Sequence, residues 1–223
     1  MSSDAAHDQP SALHLVRSAD GVALHDDADG QRPFRIDLTD FDLRTGAGNL
    51  SRKQPLARAL GEHNETVIDA TAGFGHDAAL MALLGWRVTA VERHPTVAAL
   101  LQDALERALE DSAFGPRYRD RLTVHHGNAI TLLPSLAPAD VVYVDPMYPP
   151  KKRRSALPPK AAQLLRRLVG DDDDAANLVA AARAAALQRV VVKRPVHAEP
   201  LADSPSHTIT SKLVRYDVYI SAR

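Results

Sequence analysis

Cysteine is absent from this 223-residue chain, which removes a disulfide framework, a thiolate zinc site and thiol nucleophiles together. No stretch approaches the ~18–20 apolar residues of a membrane span. The N-terminal MSSDAAHDQPSALH has neither the basic start nor the apolar block of a secretory signal, so a cytoplasmic location is expected. Net charge is scarce too: 27 Lys+Arg stand against 28 Asp+Glu, a balance that argues for no particular partner. What is present is apolar material, 45% of residues, enough for a sizeable core and too much for a disordered chain. The length suits one domain with an extension.

The charge balance is an average over two unlike regions. Residues 1–50 hold nine Asp and four Arg. From Pro146 to Val169 there is no acid, and Lys151, Lys152, Arg153, Arg154, Lys160, Arg166 and Arg167 leave the segment strongly basic. We therefore divide the chain into an acidic, partly β extension over 1–54 and a Rossmann-like domain over 55–223. In that domain short β-branched runs alternate with helical patterns. Strands are expected at Thr66–Ala70, Arg87–Glu92, Leu122–Val124, Asp140–Asp145 and Arg189–Lys193, with two more near His207–Ser211 and Val214–Ser221. Helical stretches fall at His76–Leu84, Thr96–Leu109, 158–169 and 174–187. Such alternation gives an α/β fold with a mainly parallel sheet and right-handed crossovers. The last two strands have no helix between them and should close the sheet as an antiparallel hairpin. The acidic run Asp171–Asp174 precedes a helix, where capping and the helix dipole explain it better than a metal. His125 and His126 point to opposite faces of a strand, a poor spacing for metal ligands.

The first strand runs into Asp69-Ala-Thr-Ala-Gly73-Phe-Gly75-His76-Asp77, a turn whose glycines let a ligand approach the backbone. In an open α/β sheet ligands sit at this carboxyl end. Glu92 closes the next strand, 17 residues after Gly75, where a carboxylate can accept from both hydroxyls of a ribose. Two ligands match. Gly73-x-Gly75-x-x-Ala78 fits the dinucleotide fingerprint and would mean NAD and hydride transfer. Asp69, Gly73 and Glu92 equally suit S-adenosylmethionine, whose ammonium needs a nearby anion; Asp69 and Asp77 would repel a pyrophosphate. Asn128, after the third strand, can reach an adenine or cap the helix that follows it.

The fourth strand ends in Tyr143-Val-Asp145-Pro146-Met147-Tyr148-Pro149. This is a variant of the Asp-Pro-Pro-Tyr signature of methyltransferases acting on exocyclic or amide nitrogens. An exocyclic amine is a poor nucleophile because its lone pair is delocalised into the ring. The Asp145 carboxylate and the Pro146 carbonyl can each accept one N–H and turn the lone pair toward a methyl donor. Proline adds no competing donor, and Tyr148 offers a face for an extruded base. A nicotinamide enzyme has no need of this second constellation. Lys151, Lys152, Arg153 and Arg154 follow at once, with Lys193-Arg194 after the fifth strand; such cations position a nucleic acid without reading its sequence.

Asp69-Ala-Thr-Ala-Gly-Phe-Gly-His-Asp77, Val91-Glu-Arg-His-Pro95, Tyr143-Val-Asp-Pro-Met-Tyr-Pro149, Val190-Val-Val-Lys-Arg-Pro195 and Arg215-Tyr-Asp-Val-Tyr219 together resemble the bacterial ribosomal RNA small subunit methyltransferase J family. The resemblance runs from about Phe34 to the C-terminus. It implies a class I methyltransferase fold with a seven-stranded sheet, S-adenosylmethionine as cofactor, and methylation of a guanine N2 in 16S rRNA or the 30S subunit. Neither metal nor membrane is implied. Carried over by position, donor-binding residues fall on His76, Asp77, Glu92, Arg93, Asn128, Ala129 and Asp145. Phe74 and His76 stand where the family usually has Leu and Arg, and Asn128-Ala129 where it has serines. The segment Arg44–Lys53 corresponds to a basic glycine-rich loop, making Arg52 and Lys53 candidate phosphate contacts. Alternatives from the residues alone are transfer to adenine N6 or a protein amide, and an NAD-dependent oxidoreductase.

Overall fold

Valine and isoleucine runs buried on both faces make the centre of the sheet. Val67 and Ile68, Val141 to Val144, and Val190 to Val192 are all at most 2% exposed, which is the pattern of parallel strands covered by helices on each side. A computed structural model describes residues 13–27, 32–44, 50–147, 160–170, 172–203 and 205–221. In chain order the elements are β1 (Leu13–Ser18), β2 (Gly21–Asp26), α1 (Pro55–Leu60), β3 (Thr66–Asp69), α2 (His76–Leu83), β4 (Arg87–Glu92), α3 (Pro95–Glu110) and α4 (Gly115–Tyr118). They continue with β5 (Leu122–His126), α5 (Ala129–Leu132), β6 (Ala139–Val144), α6 (Lys160–Val169), α7 (Ala175–Ala185), β7 (Ala186–Pro195), β8 (His207–Thr210) and β9 (Val214–Ile220).

Seven strands form one sheet in the order β5-β4-β3-β6-β7-β9-β8. β9 runs antiparallel to β7 and to β8, while β3 to β7 pair in parallel. This is the class I methyltransferase order. Because β3 has β4 on one side and β6 on the other, the chain leaves its strand end in opposite directions. A crevice opens there, at the topological switch point. α3 packs its Val97, Leu100, Leu101, Ala104, Leu105 and Ala108 inward, the face that its periodicity predicts.

The acidic front end has a structural use that its composition does not disclose. β1 and β2 pair from Leu13↔Asp26 to Ser18↔Gly21, and Val22, Ala23 and Leu24 of β2 are buried. Asp103 of α3 accepts the Val22 N–H at 2.8 Å, and Arg107 donates to the Ile36 carbonyl at 2.7 Å. The buried Tyr118 hydroxyl donates to the Leu38 carbonyl at 2.6 Å. Asp26 also pairs with Arg167 of α6, so one acid of the front end answers one cation of the basic segment.

Candidate active site

A cavity of about 860 Å³ opens at the switch point. Its β3–β4 bank is built by backbone groups donating to carboxylates. Asp69, 1% exposed at the end of β3, accepts the Thr71 N–H at 3.1 Å. Glu92 accepts the Gly73 N–H at 2.8 Å on one oxygen and the His94 N–H at 2.7 Å on the other. Each Glu92 oxygen keeps a lone pair beyond that bond. Gly73 and Gly75 have φ of +54° and +79°, a region in which other residues are strained. A Cβ on Gly75 would also meet Leu101 Cδ1 at 2.3 Å. The glycines therefore serve both the turn and the packing of α3 beneath it.

The β6–β7 bank is held by side chains instead. Thr71 Oγ1 accepts the Asp145 N–H at 2.6 Å, and Asp172 accepts the Met147 N–H at 2.6 Å. Pro146 is thus pinned on both flanks. Lys193 Nζ lies 2.7 Å from Asp77 Oδ2 and 3.0 Å from Asp145 Oδ2. Tyr143 donates its hydroxyl to the same Asp77 oxygen at 2.6 Å. Burial pushes the Asp69 carboxyl up to about 8, with Asp77 and Asp145 adding to the rise. Burial likewise raises Asp145 to about 6 against the pull of Lys193. Burial also opposes the charge of Asp77, but bonds from His76, Lys193 and Tyr143 outweigh it and hold that carboxyl below its usual range. Glu92 is raised by burial, with its two backbone donors opposing.

Of the residues expected to form the site, Asp69, Gly73, Gly75, His76, Asp77, Glu92, Arg93, Asn128, Ala129, Asp145 and Pro146 all line this cavity. Tyr148 and the run Lys151, Lys152, Arg153 and Arg154 lie outside the described residues. Several of these side chains also bond within the protein. Asn128 uses its Oδ1 to accept the Ile130 N–H at 2.9 Å, capping α5. Arg93 pairs with Asp172 and Asp174. Asp174 stands at the N-cap of α7 without a side-chain cap bond; the acidic run serves Arg93 and Met147 rather than the helix end. Lys193 and Arg194, expected as phosphate contacts, also line the cavity; the first lies between two carboxylates, and the second, 6% exposed, donates to the Glu199 carbonyl. Arg52 lies 4.3 Å over the Trp86 ring and donates to the Leu84 carbonyl at 3.0 Å; Lys53 is exposed. Thr71, Tyr143 and Asp172 were missed. The signal for Asp172 was the acidic run itself, and for Lys193 the basic pair that ends an apolar strand. Among the described residues one group of possible metal ligands occurs, His14, His25 and Asp27, on the β1–β2 hairpin outside the cavity.

Residues 2–221 match the family described as "Putative SAM-dependent methyltransferase". Ribosomal RNA small subunit methyltransferase J of Halorhodospira halophila is 44% identical, with 95% of this chain and 78% of that protein covered. The protein of the same name from Shewanella oneidensis is 41% identical over 97% of this chain and 89% of its own length. The chain belongs to the ribosomal RNA small subunit methyltransferase J family. Within the wider class, a SAM-dependent methyltransferase structure from Neisseria gonorrhoeae is 34% identical, covers 96% of this chain and 85% of its own, and superposes with a TM-score of 0.74. A T. thermophilus 16S rRNA N2 G1207 methyltransferase, solved with AdoMet and guanosine, shares the fold at a TM-score of 0.53 and 17% identity, over 95% of this chain and 50% of its own. As a member of the methyltransferase J family the chain is a SAM-dependent enzyme.

Proposed function

We propose that the chain transfers a methyl group from S-adenosylmethionine to the exocyclic N2 amine of a guanine in 16S rRNA, in the cytoplasm. The observation that carries the donor is the charge of the cavity. Six carboxyls line it, Asp69, Asp77, Glu92, Asp145, Asp172 and Asp174, against four cations, Arg93, Arg166, Lys193 and Arg194, and Asp77 with Asp145 flanks Lys193. A corner with surplus acid attracts a cationic ligand and repels a pyrophosphate, which favours a sulfonium and ammonium donor over NAD. Bound there, S-adenosylmethionine supplies an electrophilic methyl. Glu92 would hold its ribose through the lone pairs left by Gly73 and His94, and Asp69, its carboxyl drawn to the ionised form by the incoming cation, would hold its ammonium. The Gly73–Gly75 turn gives room for the methionine end.

Asp145 and Pro146 supply the acceptors for the target amine. Pinned by Thr71 and Asp172, they present a carboxylate and a carbonyl in fixed relation, so orientation costs little at the moment of transfer. Guanine rather than adenine, and rRNA rather than protein, rest on the names of the relatives, because Asp145 and Pro146 would serve any such amine. The small-subunit substrate follows from the same relatives, and Lys53 with the basic run after Pro150 would contact its phosphates. Incubating the enzyme and labelled donor with rRNA, DNA and protein, then analysing nucleosides and residues, tests the reading. N2-methylguanosine is expected; N6-methyladenosine or labelled glutamine overturns the guanine assignment.

A further inference from the structure

Lys193 follows Val192, which lies beside Val144 in the parallel register of β6 and β7; its backbone therefore falls opposite Asp145. The side chain turns into the sheet's carboxyl edge, 22% exposed, and spans two elements. On one side is Asp145 at 3.0 Å, directly ahead of Pro146. On the other is Asp77 at 2.7 Å, in the first turn of α2 and two residues past the second glycine of the donor loop. Nothing in the methyl-transfer reading itself asks for a lysine between these groups.

We propose that Lys193 is a positioning residue for methyl transfer: its ammonium keeps Asp145 as a charged acceptor and ties it, through Asp77, to the donor loop. The proposal rests on the methyl-transfer reading given above. Two buried carboxylates without a cation between them share a proton, since like charges at short range do not both ionise. A protonated Asp145 would present an O–H where the amine needs an acceptor. The groups facing the pair are Asp69 from β3, His76 and Asp77 from α2, Tyr143 from β6, Tyr216 from β9 and Asp172 ahead of α7. Three of the six are carboxyls that press on Asp145, and Lys193 is the counter-charge that the cluster depends on. The geometry also explains why a lysine is used: its ammonium donates in three directions as a compact charge, and here two of them go to carboxylates on separate elements.

Lys193→Met and Lys193→Gln separate this role from a phosphate contact, with Lys193→Arg as the conservative variant. Circular dichroism establishes that each folds. Carbon-13 NMR of the Asp145 carboxyl in donor-free protein is the first readout; its midpoint, expected near 6 in the parent, should rise by about one unit or more in Lys193→Met and Lys193→Gln, and return part-way in Lys193→Arg. The second readout is the pH profile of kcat on rRNA. Its acid limb should move to higher pH, with kcat at neutrality lower by about 100-fold, chiefly from the lost tie between Asp145 and the donor loop, and KM for rRNA nearly unchanged. An unmoved carboxyl midpoint and acid limb, with a raised KM for rRNA and a weaker salt dependence, would make Lys193 a phosphate contact and overturn the proposal. A parent enzyme that methylates no rRNA would sink the functional reading instead, and the NMR midpoints still decide whether Lys193 governs Asp145.

Discussion

The two banks of the cavity are stabilised by different means. At the ends of β3 and β4 the carboxylates of Asp69 and Glu92 are met by backbone N–H groups of Thr71, Gly73 and His94. At the ends of β6 and β7 the partners of Asp145 and Met147 are side chains, Thr71, Lys193 and Asp172, brought from remote parts of the sequence. The first bank is a shape made by the chain's own turn, suited to holding a ligand in one place. The second is a balance of charges, suited to keeping one carboxylate in the state that accepts an amine. Changes on the first bank should therefore act on donor affinity and stability, and changes on the second on turnover.

The sharpest separation comes from Asp145→Ala. Single-turnover methyl transfer should fall by about 1,000-fold, while rRNA affinity by filter binding stays close to the parent's; equal turnover would remove Asp145 from the chemistry. Glu92→Gln acts on the opposite bank. Replacing one charged acceptor by an amide should weaken donor binding by about 10–100-fold in calorimetry, with kcat at saturating donor little changed. If kcat fell and affinity held, the division between banks would be wrong.

Gly75→Ala tests the shape of the turn. With φ of +79° and Leu101 Cδ1 at 2.3 Å from the added Cβ, it should cost about 1–3 kcal/mol in urea unfolding. Gly170→Ala, at φ of +74° with nothing within 4 Å, isolates the backbone part and should cost about 1 kcal/mol. Equal losses would show that Leu101 simply moves aside.

A further test concerns pH. Asp69 has its carboxyl raised to about 8 from an ordinary 3.8, so between those values the folded chain binds a proton that the unfolded chain does not. The stability from this proton is complete below the unfolded value and is lost as pH rises through about 8. Thermal midpoints of donor-free protein should fall across that window, and Asp69→Asn should flatten the fall. A slope unchanged by Asp69→Asn would assign it to another group.

Much of the β3–β4 bank was legible because its signals are local. A strand, two glycines at fixed spacing and an acid closing the next strand lie within 27 residues from Thr66 to Glu92, and the backbone bonds follow from the turn. The seven strands were legible for the same reason: an apolar run between turn residues is a local pattern. The other bank depends on strand order. Lys193 becomes a partner of Asp145 only when β7 lies beside β6, and a basic Lys-Arg pair in a sequence looks like a phosphate contact. Asp172 reads as helix capping until Met147 and Arg93 are brought to it. The β1–β2 hairpin shows the same limit, since its anchor, Asp103, is 81 residues from Val22.

The central claim is that this cavity orients a guanine amine for methylation. Its most direct test is transfer from labelled S-adenosylmethionine to 30S particles and naked 16S rRNA lacking the modification, with the labelled nucleotide mapped. The account predicts label at the N2 of a single guanine, abolished in Asp145→Ala. Label on adenine or on a ribosomal protein, or none on either RNA substrate by an enzyme that binds the donor, would contradict it.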